Sequence, residues 1–315
     1  MAATVPTSSP ATKAVVSPLK RREQKWGLIF LAPWIIGFIL FFAGPMIASL
    51  IFSFTNFVLI RPDEMQFVGL ANWKRMFTDT AVRKSLGVTL RFMLISVPIS
   101  MIVPLCLAVL LNYKHLAFKP LFRTMFYMPF MVPGVAGALI WSGVLNPQSG
   151  WVNMLLNKIG ITGPDWLNNP VWVIPALTLM GLWGIGNTMV IMLAGLQGVP
   201  SELYDASRVD GAGPIRTFFN ITLPMISPVI FYNLVLAIIG SFQYFLNAYV
   251  LYNSQAGPDD AALFYMLNLY REAFVYYNMG YASTLAWGMF LVALVITVVL
   301  FSTSNRWVYY SSGDA

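Results

Sequence analysis

Charge is scarce in this chain: only 10% of its 315 residues are Asp, Glu, Lys or Arg, against 58% hydrophobic, where a soluble domain carries about 25% charged residues. That scarcity, with a mean hydropathy of +0.69, excludes a soluble globular core and describes a chain that crosses a membrane several times. Cysteine is limited to Cys106, inside an apolar run; it rules out an intrachain disulfide and reads as a packing residue. His115 is the only histidine, and because a metal site draws on several ligands it reads as a solvated loop residue. No G-x-x-x-x-G-K-[ST] stretch occurs, so the chain has no P-loop to cradle ATP phosphates. The long apolar runs contain no Asp or Glu, the groups that proton-driven carriers place at membrane depth. No nucleophile has a general base near it in sequence, which disfavours a membrane enzyme. The net charge of +7 sits at run ends and in loops rather than along one stripe, so nucleic acid is not the expected partner.

What is present is a series of apolar runs, each long enough to cross the hydrocarbon, which takes about 20 helical residues. They cover roughly 26–54, 88–113, 124–145, 171–196, 228–252 and 283–305. The first is too long for a signal peptide and lacks a small-residue cleavage site; Pro45 is a candidate kink within it. Residues 1–25, rich in Ala, Thr, Ser and Pro and ending in Lys20-Arg21-Arg22, read as a disordered tail, and 26–310 as the membrane domain. Six spans put both termini on one side. That side carries Lys13, Lys20, Arg21, Arg22, Lys25, Lys114, Lys119, Arg123, Arg208, Arg216 and Arg306, while the basic residues of the other are offset by acids. The bias predicts cytoplasmic termini. Arg91, near one end of the second run, is placed to snorkel.

The most polar interval, Val199–Pro228, lies between the fourth and fifth runs. Its Glu202, Asp205, Arg208, Asp210 and Arg216 would each cost about 2.5–3.5 kcal/mol in hydrocarbon, so it must protrude as a helical hairpin. Ser201 is the expected N-cap, Gly211 suits the C′ turn, Gly213-Pro214 starts a second short helix and Leu223-Pro224 stops it. Helices this short are marginal alone, so the hairpin should be held by something it packs on, a partner being the expected support. Asp205-Ala206-Ser207, Gly211, Ile221 and Leu223-Pro224 resemble the Glu-Ala-Ala…Gly…Ile-x-Leu-Pro signature of ATP-binding-cassette importer permeases. Asp205 and Ser207 depart from it mildly, keeping charge and small size.

Further stretches resemble the carbohydrate-uptake class of those permeases, with maltose and glycerol-phosphate as its types. They are Phe67–Trp73, and Tyr127-Met-Pro-Phe-Met-Val-Pro-Gly134 in the third run. Two prolines and a glycine there break the helical ladder, and broken backbone at membrane depth is tolerated only against protein or a water-filled cavity. The interval 145–169, with Trp151, Asn153, Gly160 and Trp166, resembles the family's outer lid and docking surface; an interfacial aromatic belt explains its tryptophans equally well. Trp183, Gly184 and Asn187 in the fourth run, and Ser241, Gln243, Tyr244 and Asn247 in the fifth, offer the amides and rings that a sugar's hydroxyls and C–H faces require. Trp183 and Asn187 are i and i+4 on one expected helix face, and Gln243, Tyr244 and Asn247 fall within about one turn. Hydrogen bonds between helices are the competing use of these polar groups.

The resemblance implies an all-α polytopic membrane protein of six transmembrane helices with a cytoplasmic coupling helix. It further implies a sugar-import permease subunit of a bacterial or archaeal cell membrane. A second homologous permease, two cytosolic subunits that bind ATP and Mg, and an extracytoplasmic sugar-binding protein would complete it, with no cofactor on this chain. Glu202, Asp205, Ala206, Ser207, Arg208, Asp210, Gly211, Ala212, Leu223 and Pro224 would form the coupling surface. A glycerol-3-phosphate or other polyol permease is the alternative substrate class, and an ATP-independent facilitator the alternative mechanism.

Overall fold

The computed structural model describes residues 18–309, which are almost entirely helical; the only strand-like pairing among them is an isolated Thr55–Phe67 bridge. Met1–Ile51 and Phe52–Ala315 form separate compact units. In the first, α1 (Pro18–Phe38) passes through a π-helical turn at Ile39–Ala43 into α2 (Gly44–Phe52). The expected tail is therefore helical from Pro18 onward, and its first 17 residues lie outside the described ones. The π turn directly precedes Pro45, and Gly44 N–H donates five residues back to Ile39 O. The wider turn absorbs the proline's missing donor, so the expected kink site is a bulge.

The second unit opens with α3 (Ala71–Thr78) and α4 (Thr80–Asn112). Asp79 separates them and caps α4, its carboxylate accepting from Ala81 N–H at 2.8 Å. The Phe67–Trp73 stretch is a clasp: Gly69 takes φ +57° at the turn, and Asn72 Nδ2 donates to Ser53 O at 3.1 Å and Thr55 O at 2.8 Å. The chain then runs through α5 (Lys119–Tyr127), a 3-10 turn at Met128–Met131, α6 (Gly134–Val144), α7 (Trp151–Lys158), α8 (Pro170–Trp183) and α9 (Gly186–Gln197). The hairpin follows as α10 (Ser201–Val209), α11 (Pro214–Thr217) and α12 (Leu223–Met225), then α13 (Ser227–Phe242), α14 (Leu246–Tyr252), α15 (Tyr265–Tyr270) and α16 (Met279–Ser304).

Four helices are long and apolar enough to cross a membrane, or up to six if each sharply bent pair is one span. The third run breaks as its prolines predict, with 102° between its two halves. The fourth was expected to be continuous and is not. It bends by 55° after Trp183, where Gly184 N–H turns back to Gly181 O at 3.2 Å. The fifth run is also interrupted, at Gln243–Phe245.

Two buried clusters organise this unit. One gathers Phe92 of α4 with Leu145, Val173, Leu177, Ala248 and Phe264; the other gathers Ala108 and Leu111 of α4 with Met189, Leu193, Leu196 and Ile226. α4 runs uninterrupted through both. Cys106, expected to pack, is exposed on α4, because Pro104, Ala108 and Leu111 take the buried face. Arg91 is exposed as expected, although α4 starts at Thr80, well before the apolar run. The α3 end is tied electrostatically. The Arg75 guanidinium lies 3.8 Å from the Tyr281 ring centroid and 3.7 Å from Glu272, Tyr281 Oη donates to Asp79 at 2.8 Å, and Lys84 pairs with Asp260 at 2.7 Å. Nearby, Tyr265 N–H donates to Thr89 Oγ1 at 2.9 Å. Burial holds the Tyr265 phenol above its ordinary range, so it stays protonated and donates to Leu285 O at 2.9 Å.

In the 145–169 interval, Asn153 is 3% exposed. It donates to Pro147 O and Pro164 O at 3.1 Å each and accepts from Trp166 Nε1 at 2.7 Å. Trp166 is thus a structural residue of this loop, whereas Trp151 is 73% exposed.

Candidate functional site

The three helix interruptions meet. Gly186, the first residue of α9, backs onto the backbone of Phe126 and Tyr127, leaving no room for a Cβ. Gly134, the first residue of α6, meets Leu246, the first of α14. Around this junction lies a cavity of about 180 Å³, whose lining includes Pro129, Val132, Trp141, Trp183, Gly184 and Asn247. A second, of about 190 Å³, is lined by Phe92, Ser96, Ser100, Thr178, Ser241 and Tyr244 among others. Gly181 belongs to both linings, with open space where a Cβ would stand. No charged side chain lines either cavity. Each is smaller than the roughly 300 Å³ at which small-molecule sites begin.

Of the sequence-predicted residues, Trp183, Gly184 and Asn247 share the first cavity, and Ser241 and Tyr244 the second. Asn247 Nδ2 donates to Tyr244 Oη at 3.0 Å, joining the two. The Tyr244 ring is held by Phe92 and Phe264, at centroid distances of 4.3 and 4.8 Å. Ser241 donates back to Ala237 O at 2.8 Å. Gln243 is exposed and lines neither cavity. Asn187 lies past the α8–α9 bend, so it shares no continuous helix face with Trp183 and lines neither cavity. The serines at 96 and 100, one turn apart in the apolar stretch of α4 that follows Arg91, were the overlooked signal for the second cavity. Trp141 was also missed. It sits edge-on to Trp183 at 6.2 Å, and its buried indole N–H has no acceptor among the described residues.

The polar hairpin is built as two layers. Gly211 has φ +69°; its N–H donates to Arg208 O at 3.1 Å and Ala212 N–H to Ser207 O at 2.9 Å, the bond pair of a Schellman turn. The start differs from expectation by one residue: Pro200 is the N-cap, with no side-chain cap bond, and Ser201 is already helical. Leu223-Pro224 does not stop the second helix. A π turn at Phe218–Thr222, with Leu223 N–H donating to Phe218 O, carries the chain into α12, as it did before Pro45. Support also comes from within the chain, because Tyr204, Ile221 and Met225 pack on the second buried cluster. Tyr204 Oη lies 3.2 Å from Thr222 Oγ1, and Ser207 Oγ donates to Tyr204 O at 2.8 Å. Ser207 is therefore inside the hairpin, with Ala212, Leu223 and Pro224 half-buried. Glu202, Asp205, Ala206, Arg208, Asp210 and Gly211 are exposed. Between these charges stand two apolar side chains that nothing covers, Val209 at 88% and Ile215 at 75% exposure.

Residues 100–312, which hold the hairpin and much of both cavity linings, match the binding-protein-dependent transport system inner membrane component family. The chain belongs to that family. It is 40% identical over 297 residues to the probable ABC transporter permease protein YesP of Bacillus subtilis (strain 168), spanning 93% of this chain and 95% of the relative. It is 31% identical over 289 residues to the trehalose/maltose transport system permease protein MalF of Thermococcus litoralis, spanning 90% and 95%. Among solved structures it is similar to a chain of a bacterial ABC transporter involved in the import of the acidic polysaccharide alginate. The TM-score is 0.80 at 25% identity, covering 91% of this chain and 98% of that one. Of the stretches that carried the family resemblance, Tyr127–Gly134 and the hairpin fall within the matched residues, while Phe67–Trp73 precedes them. In this inner membrane component the first marks the sharpest bend and the second the most polar protrusion.

Proposed function

We propose that this chain is the sugar-conducting permease subunit of an ATP-driven importer, one half of an alternating-access pathway with six spans and cytoplasmic termini. The observation that carries the reading is the convergence of three helix interruptions on two uncharged cavities, one lined by tryptophans and an amide and the other by aromatic rings and hydroxyls. Irregular backbone at membrane depth is stable where it lines a substrate path. Trp183, Asn247 and Tyr244 supply a stacking surface and hydrogen bonds, and the absence of cations favours a neutral sugar over a phosphorylated polyol. The small size of each cavity supports a pathway shared with a second permease. Energy comes from two ATP-binding subunits, one of them docked on the exposed face of α10, and substrate from an extracytoplasmic binding protein.

The test is reconstitution with the ATP-binding subunits and a panel of loaded binding proteins. ATP-dependent uptake of a neutral sugar is expected, and a permease that purifies without any nucleotide-binding subunit and equilibrates sugar without ATP would overturn the reading. Asn247→Ala should lower uptake about 10- to 30-fold, equivalent to about 1.5–2 kcal/mol for a lost hydrogen bond and an orphaned Tyr244 hydroxyl. ATP hydrolysis stimulated by the binding protein should be retained, measured in the same vesicles.

A further inference from the structure

A cavity of about 600 Å³ lies outside the pathway, between the hairpin and the turn that joins α4 to α5. That is ample for a small organic molecule. Its cations come from two separate elements, Lys114 from the turn and Arg208 from α10; the His115 imidazole also lines it, and no carboxylate does. Lys114 forms no ion pair with the described residues. Arg208 reaches Asp205 at 3.2 Å, but that pair is 71% and 69% exposed, so it is weak and readily exchanged. Facing the cations are the hydroxyls of Tyr204, Ser207 and Thr217, with the Phe218 ring as an apolar wall.

We propose that this cavity binds a phosphorylated polyol. An ammonium and a guanidinium supplied to one cavity by two elements match a phosphate anion, and the hydroxyls with an aromatic wall match a body of several hydroxyls and C–H faces. The ligand bridges the α4–α5 turn to α10. It therefore favours whichever conformation holds the two together and restrains any motion of the hairpin that separates them. Two sources offer this chemistry, a soluble sugar phosphate and the headgroup of an anionic phospholipid. The consequence for transport rests on the proposed function; the binding itself does not.

The experiment measures binding by the full chain in phosphatidylcholine nanodiscs with radiolabelled glucose 6-phosphate. In parallel, native mass spectrometry follows retention of phosphatidylglycerol from mixed vesicles. Saturable glucose 6-phosphate binding that weakens about tenfold or more in Lys114→Gln and is kept by Lys114→Arg assigns the soluble source. Retention of phosphatidylglycerol with the same dependence on Lys114 assigns the lipid. Absence of both, or binding unchanged in Lys114→Gln and in His115→Gln, overturns the site. Because nucleotide-binding subunits and transport are not involved, these results stand apart from the outcome of the uptake assay.

Discussion

Val209→Asp and Asp205→Arg are each expected to leave the protein in the membrane at its normal level while abolishing most ATP-dependent uptake. Both positions sit on the exposed face of α10, and neither side chain contacts the buried clusters beneath the hairpin. Folding therefore has little at stake. Docking has much. Val209 is 88% exposed, with Ile215 75% exposed on the adjoining α11. Apolar side chains flanked by charges are what a partner's cleft covers, and a central contact of this kind is worth about 2–4 kcal/mol when lost. That corresponds to about 30- to 1000-fold in association. The measurement is pull-down of the ATP-binding subunits together with uptake, using immunoblotted membranes as the insertion control. Gly211→Val should act alongside them, since a φ of +69° is strongly unfavourable for a β-branched side chain and the Schellman turn that ends α10 depends on it. Normal uptake in all three variants would remove the hairpin from the coupling route.

Gly186→Val carries the second large effect, through stability. A Cβ at this position must enter space held by the backbone of Phe126 and Tyr127, and backbone cannot swing aside as a side chain can. Overpacking of this kind costs about 1–3 kcal/mol, and more where the clash is with main chain. The thermal midpoint of the purified protein should fall by several degrees and uptake with it. Gly181→Leu makes the informative contrast. Space is open at that position, so the midpoint should stay near the native value while uptake collapses, because the new side chain occupies the wall common to the two cavities. Equal thermal losses in the two variants would contradict the difference in packing.

Much of this was legible in the residues. The long apolar helices follow from run length, and the break in the third from two prolines and a glycine set within six residues. The Gly211 turn follows from a polar helix ending in glycine. What escaped was the break in the fourth run, because glycines within an apolar stretch serve equally for close helix packing and for bending. Only the contact of Gly186 with the α5 backbone decides between them. Asn187 and Gln243 fall outside both cavity linings for the same reason, since a helix-face argument presumes a continuous helix. Pro224 misled in the opposite direction, because a π turn absorbs a proline that periodicity reads as a stop. The apolar residues of the hairpin's outer face were overlooked among louder charges, although an uncovered Val209 says more about a partner than a solvated Asp210 does.

α4 is unbroken over 33 residues, about 50 Å of helix at 1.5 Å per residue, while α5/α6 and α8/α9 bend part-way and the α13/α14 run is interrupted at Gln243–Phe245. A continuous helix beside jointed neighbours sets the spacing of the two hydrophobic clusters, and Pro98 and Pro104, which lie between the residues it gives to each, leave their relative angle adjustable. Tilting the hairpin-side cluster against the other therefore need not stretch the protein, and the joints that permit the tilt are the walls of the passage itself.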